Sequence, residues 1–191
     1  MRKALAACVG GLALCGAGSA AAAIMVLGGG LAEACAQAAI QGESDLKYEQ
    51  MCTASMDDEA LSGRDMAGTL VNRGVMRLRR ANWNSAKRDF DQASRIQPKL
   101  GEAYVNRGAA FLGMRRYPES LVEINRGLEL GVEEPAKAYY NRALAHEGLE
   151  DAKSAYLDYQ KALEFNPLWE LPKQQLLRFK VQRRMVPAPL S

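Results

Sequence analysis

The sequence predicts an all-α protein built as a stack of antiparallel helix hairpins. Two observations predict it. First, a tripeptide recurs at a fixed step: Asn72-Arg73-Gly74, Asn106-Arg107-Gly108 and Asn141-Arg142-Ala143 follow one another at 34 and 35 residues. Second, the same series of side-chain sizes follows each tripeptide. Twelve positions after its last residue comes a small one (Ala86, Ser120, Ala155). Four further on is a large apolar residue (Phe90, Ile124, Tyr159), and three beyond that a small one again (Ala93, Gly127, Ala162). Two helices approach closely only where side chains are small. The large residue fills the space beside the approach. Each hairpin leaves an apolar face that the next one covers, and three repeats are about the minimum for a stable stack. A content of 48% hydrophobic and 25% charged residues is that of a folded chain and excludes global disorder.

The spacing resembles the tetratricopeptide repeat (TPR), a 34-residue helix-turn-helix, over about residues 67–167. That family expects a bulky residue two positions before each Asn, and Leu70, Tyr104 and Tyr139 stand there. It expects an aromatic at the turn, supplied by Trp83 and Tyr117, whereas Ala152 departs. The resemblance implies a right-handed superhelix and a role in holding proteins or peptides. Helices are expected near 63–80, 83–96, 101–114, 117–130, 136–148 and 152–164, which gives repeats over 62–100, 101–135 and 136–168. Pro98 and Pro167 close the first and third repeats, and Gly131-Val132 the second.

Both ends of such a stack need covers. Residues 169–191 read as an amphipathic capping helix over 169–184 (Trp169, Leu171, Leu176, Leu177, Phe179, Val181), ended by Pro187 and Pro189. Residues 24–61 read as a short lead segment and a degenerate hairpin over 31–56, broken near Gly42. Cys35 and Cys52 would face each other across it and form a disulfide. Ser62 followed by Asp65 is similar to a capping box, with Asp in place of Glu.

Residues 1–23 carry the parts of a secretory signal: Arg2 and Lys3, then an uncharged stretch, then Ser19-Ala20-Ala21-Ala22-Ala23 with cleavage expected near Ala23. Export to a bacterial periplasm follows. An uncleaved inner-membrane anchor is the alternative, since the uncharged stretch is long enough to span a bilayer. The Leu12-Ala13-Leu14-Cys15 and Leu5-Ala6-Ala7-Cys8 runs match a lipoprotein signal poorly.

Two polar features recur in every repeat. Sixteen residues after each Arg stands an acid, pairing Arg73 with Asp89, Arg107 with Glu123 and Arg142 with Asp158. An Arg in a packed position needs a partner, so three structural salt bridges are expected. The second feature is Asn72, Asn106 and Asn141. Some members of the family carry an Asn ladder similar in placement, whose amides bind the backbone of an extended peptide. An amide donates and accepts, as a peptide unit does. Val71, Val105 and Tyr140, then Val75, Ala109 and Leu144, are expected as an apolar floor. The alternative is Asn merely tolerated on a solvated concave face. A carboxylate clamp is not expected, because Val71 and Asn141 stand where cations would be needed and only Lys137 fits.

The expected function is therefore a non-enzymatic scaffold for a protein or peptide partner, with no cofactor and no metal. The alternative is a membrane-anchored assembly subunit. Nucleic-acid binding, prompted by twelve basic residues between Arg64 and Arg116, is disfavoured by the near-neutral net charge of +3. No phosphate loop or dinucleotide fingerprint is present. The single histidine, His146, sits in a packing slot with no nucleophilic triad around it.

Overall fold

The computed structural model describes residues 3–6, 19–26 and 30–183. The signal features at Arg2, Cys8 and Cys15 and the terminal Pro187 and Pro189 lie outside the described residues. Nine helices follow in order among those described: α1 (Leu31–Ile40), α2 (Leu46–Asp58), α3 (Gly63–Arg79), α4 (Trp83–Ile96), α5 (Gly101–Gly113), α6 (Tyr117–Leu130), α7 (Pro135–Gly148), α8 (Ala152–Phe165) and α9 (Glu170–Leu176). They pair as the hairpins α1–α2, α3–α4, α5–α6 and α7–α8, each stacked on the next. Two four-residue strands, β1 (Lys3–Ala6) and β2 (Lys180–Arg183), pair antiparallel.

The repeat pattern explains the packing. Phe90, Ile124 and Tyr159 are fully buried in the three hairpins. Phe90 lies against Gly74, and a Cβ on Gly108 would stand 2.5 Å from Ile124 Cγ1, so no larger residue fits there without movement. A different contact joins neighbouring repeats. A Cβ on Gly113 would meet the Trp83 ring at 2.5 Å, and one on Gly148 would meet the Tyr117 ring at 2.5 Å. The aromatic at each turn thus lies over a glycine ending the first helix of the next repeat. This accounts for Ala152: among the described residues α8 is followed by the short capping helix α9, which ends at Leu176 and offers no glycine to an aromatic there.

The helix starts follow local chemistry. Ser62 Oγ accepts from the Asp65 N–H at 3.2 Å and caps α3. Asp65 does not reach back to the backbone as Glu does in a capping box. It accepts the Ser62 hydroxyl at 2.6 Å, as suits a side chain one methylene shorter. Asp151 Oδ1 accepts from Ser154 N–H at 3.1 Å and caps α8. The Ser154 hydroxyl first, and then its N–H, hold the Asp151 carboxyl below its ordinary pKa.

The C-terminal cap corrects the sequence expectation. Its helix ends at Leu176 rather than near 184. The Phe179 N–H closes a tight turn on the Leu176 carbonyl at 3.1 Å. The reason lies in what needs covering. Trp169 already packs on Tyr140 with ring centres 4.9 Å apart, and Phe179 packs edge-on against Tyr156 and Tyr159. The chain bends to place both aromatics, and residues 180–183 continue as β2.

Candidate functional site

Asn72, Asn106 and Asn141 stand on α3, α5 and α7, the first helices of the three hairpins. Their common repeat position lines them up along one face. All three are fully buried. A buried amide must find partners for its donors and acceptor. Here the partner is residues 19–26, which run along the face without helix or ladder of their own.

Each amide takes both backbone groups of one residue. Asn72 accepts the Ile24 N–H at 2.7 Å and donates to the Ile24 carbonyl at 2.7 Å. Asn106 accepts the Ala22 N–H at 3.1 Å and donates to its carbonyl at 2.8 Å. Asn141 accepts the Ala20 N–H at 2.8 Å and donates to its carbonyl at 2.7 Å. In extended chain the N–H and C=O of one residue share an edge, and alternate residues share the same edge. Three side chains therefore serve as a neighbouring strand would. The segment runs from α7 back to α3, against the order of the repeats.

Its side chains are small or fitted. Ala22 and Val26 are buried. Ala21 and Ile24 pack on the apolar cluster that contains Val75 and Ala109, and Ala20 on the one that contains Leu144. Ala23 packs with Cys35, Cys52 and Met76. Gly68, one turn before Asn72, leaves room here: a Cβ on it would stand 3.1 Å from Val26 Cγ2.

Of the expected floor residues, Val105 and Tyr140 lie elsewhere. A Cβ on Gly127 of α6 would stand 2.5 Å from Val105 Cγ2, so Val105 faces its hairpin partner. Tyr140 lies between Tyr159 and Trp169, whereas Val71 belongs to the cluster on which Ala21 and Ile24 pack. One residue along a helix turns the side chain by about 100°. At Val105 and Tyr140 the neighbour of a groove-facing Asn therefore points away from the groove. Nor is Asn left on a solvated face, because the segment covers it.

The arginines beside the ladder hold the stack. Arg73 Nη2 lies 2.8 Å from Asp89 Oδ1, Arg107 Nη2 2.5 Å from Glu123 Oε2, and Arg142 Nε 2.7 Å from Asp158 Oδ2. Each Arg also reaches the preceding hairpin through Nη1: to Thr53 Oγ1 at 3.0 Å, to Asp91 Oδ1 at 3.2 Å and Ser94 Oγ at 3.0 Å, and to Asn125 Oδ1 at 2.8 Å. Sequence reasoning missed these second partners. Their signal was present, since Asp91 and Asn125 are themselves 34 residues apart. The Asp158 hydrogen bond raises the Arg142 pKa, while burial lowers that of Arg77, which shares Asp89 with Arg73. The Arg107 and Arg142 guanidinium groups also lie 4.9 and 5.0 Å from the Tyr104 and Tyr139 rings.

Cys35 and Cys52 meet across α1 and α2 with Cα atoms 5.0 Å apart, within disulfide range. His146 lies 3.6 Å from Asp151 and 3.8 Å from Asp158. Among the described residues no group of three or more His, Cys, Asp or Glu is placed to hold a metal ion.

No protein-family model matches the chain. The Hsp70-Hsp90 organizing protein of Triticum aestivum is 31% identical over 102 residues, covering 53% of this chain and 17% of that protein. Sperm-associated antigen 1 of Homo sapiens is 28% identical over 86 residues, covering 45% and 9%. The chain thus spans less than a fifth of the length of these two relatives. Among solved structures, the Arabidopsis OM64 TPR domain is similar with a TM-score of 0.57 at 23% identity, over 61% of this chain and 96% of that one. MamA from Desulfovibrio magneticus RS-1 is similar with a TM-score of 0.58 at 20% identity, over 78% and 82%. The first TPR of Spaghetti (RPAP3), bound to the HSP90 peptide SRMEEVD, is similar with a TM-score of 0.56 at 20% identity, over 60% and 90%. Repeat spacing, hairpin packing and these likenesses agree: the chain carries the tetratricopeptide-repeat fold.

Proposed function

We propose that this protein is a non-enzymatic interaction scaffold whose groove holds an extended segment of a protein partner. The observation that carries the reading is the pairing of Asn72, Asn106 and Asn141 with both backbone groups of alternate residues in residues 19–26. Backbone recognition of this kind is how an added strand gains affinity, with alternate side chains supplying specificity. The fold supports the class, since the Spaghetti (RPAP3) domain holds a peptide. The ligand differs in kind. That peptide is acidic, whereas the ladder here is made of neutral amides and suits an uncharged strand. Arg73, Arg77, Arg79, Arg80 and Arg107 are engaged within the protein, which leaves much of the basic block unavailable to phosphate groups.

We further propose that the protein is exported and that Cys35 and Cys52 are oxidised. Their approach across one hairpin and the signal-like residues 1–23 support this reading.

The test is selection of octapeptides from a display library on the immobilised chain with Ala20 and Ala22 replaced by proline, which has no N–H to give to Asn141 or Asn106. Selected peptides are expected to lose at least tenfold in affinity for the triple variant Asn72→Ala, Asn106→Ala, Asn141→Ala, with helicity retained. Equal affinity for both chains would reject the ladder as the binding element.

A further inference from the structure

We propose that Ser19–Val26 is the groove's own ligand, held in cis, and that it defines what a partner must look like: an extended segment with a small side chain at its centre, ending in β-branched residues. The proposal rests on the groove reading above.

The pattern is written in the occupant. The first two paired residues, Ala20 and Ala22, have the smallest side chain that still packs. Ala22 is 4% exposed, so a larger side chain there has nowhere to go. The third, Ile24, sits where Gly68 opens space on α3. Val26, two residues on, fills the same opening and packs with Ala32, Ala36 and Leu61. A partner strand that uses all three amides meets the same walls. It must place a small residue opposite α5, where Ala22 is buried, and a branched one opposite α3, whereas the position opposite α7 is only half-buried.

Occupation in cis also regulates access. Only residues 27–29 separate the segment from the bend that leads into α1. A short tether gives an effective concentration of about 1 mM. A partner with a comparable intrinsic affinity competes against that, so the groove is closed to weak ligands while the segment is in place. The alanine run is also where N-terminal processing is expected. Hydrolysis of the Ala23–Ile24 peptide bond by a processing peptidase, with water as co-reactant, removes Ala20 and Ala22, vacates Asn141 and Asn106, and leaves Ile24 with a terminal ammonium that still donates to Asn72 Oδ1. Processing thereby converts a filled groove into one with two open amides and its branched-residue end still lined.

The experiment uses the full chain and a release variant, Ala20→Pro with Ala22→Pro. Proline has no N–H to give to Asn141 or Asn106. The probe is a fluorescein-labelled octapeptide with the sequence of residues 19–26. Hydrogen exchange at Ala20, Ala22 and Ile24 is read in parallel. The expected result is protected amides in the wild-type chain, and peptide binding at least tenfold tighter to the release variant. A peptide with Trp in place of Ala22 should bind neither chain. Unprotected amides, with equal peptide binding by both chains, would overturn cis occupation and leave the groove reading standing. Equal binding of the Trp peptide would overturn the small-residue rule. Protected amides, with no octapeptide of any sequence bound by the release variant, would overturn the groove reading and this proposal with it.

Discussion

Ala81, Arg115 and Glu150 each have a positive φ, of 57°, 58° and 62°. They occupy the same place in the three hairpin turns. The following N–H closes each turn on a carbonyl five residues back: Asn82 to Arg77 at 2.9 Å, Arg116 to Phe111 at 2.8 Å and Asp151 to His146 at 2.9 Å. This is the helix-ending turn that usually carries Gly or Asn. A side chain with a Cβ is disfavoured there by about 1–2 kcal/mol. Glycine relieves that strain but gains freedom in the unfolded chain, so the net benefit is smaller. Glu150→Gly is therefore expected to stabilise the protein by about 0.5–1 kcal/mol. The measurement is a urea titration in which the midpoint rises and the slope does not change. A fall in the midpoint would show that Glu150 makes contacts worth more than its backbone strain. These three residues were illegible in the sequence, because Ala, Arg and Glu are helix formers. The hairpin imposes the conformation on them, and only the tertiary packing reveals it.

At the scale of the element, the reverse holds. The six repeat helices end within a residue of where the small, large, small series places them, because that series records the closest approach of each pair. The turn aromatics were legible singly, but the contact of Trp83 with Gly113 and Tyr117 with Gly148 needs two repeats in space. The Asn ladder was visible as a spacing. Its occupant was not, because residues 19–26 lack helical or strand periodicity and read as a processing signal. The terminal cap failed for a related reason: Trp169, Leu176 and Phe179 cover Tyr140 and Tyr159, and a bent chain places them as well as a helix does. The hairpin α1–α2 was read from Gly42 and the two cysteines. It has fewer large apolar residues than its neighbours: its buried set is mostly alanine, with Cys35 and Cys52 at the centre. A crosslink therefore matters more here than in the later repeats. In the chain-entropy estimate, closing a loop of this size is worth about 3 kcal/mol. The double variant Cys35→Ser, Cys52→Ser is expected to lower the thermal midpoint, and a reducing agent should lower the wild-type midpoint to a similar extent. A reducing agent without effect on the wild type would mean that the cysteines are not bonded in solution.

Across the whole molecule, charge alternates in blocks: −6 over residues 24–61, +8 over 62–116, −6 over 117–170 and +5 over 171–191. In a stack, consecutive blocks are neighbours, so their borders become interfaces between opposite charges. The first border is the clearest. Glu49 on α2 receives Arg77 of α3 at 2.7 Å and also pairs with Arg80. Arg79 donates to the Ala39 carbonyl at 2.8 Å, and Arg80 to the Ser44 carbonyl at 2.7 Å, gripping the turn between α1 and α2. Glu49 is only 12% exposed and Arg77 17%, so neither is as cheap to strand as a surface charge. Removing a partner from a buried pair costs about 3–5 kcal/mol, and from an exposed pair about 0–1, so this half-buried site falls between the two. In a one-dimensional stack the damage stays local, because each hairpin contacts only its neighbours. Glu49→Ala is therefore expected to raise hydrogen exchange in α1 and α2 by tenfold or more while α5 and α6 keep their protection. Exchange should also rise in residues 19–26, because Ala23 packs with Cys35 and Cys52. Raising the salt to about 0.5 M should not reproduce the effect in the wild-type chain, since half-buried pairs are poorly screened. Equal loss of protection in all helices would contradict this account and mean that the array unfolds as one cooperative unit.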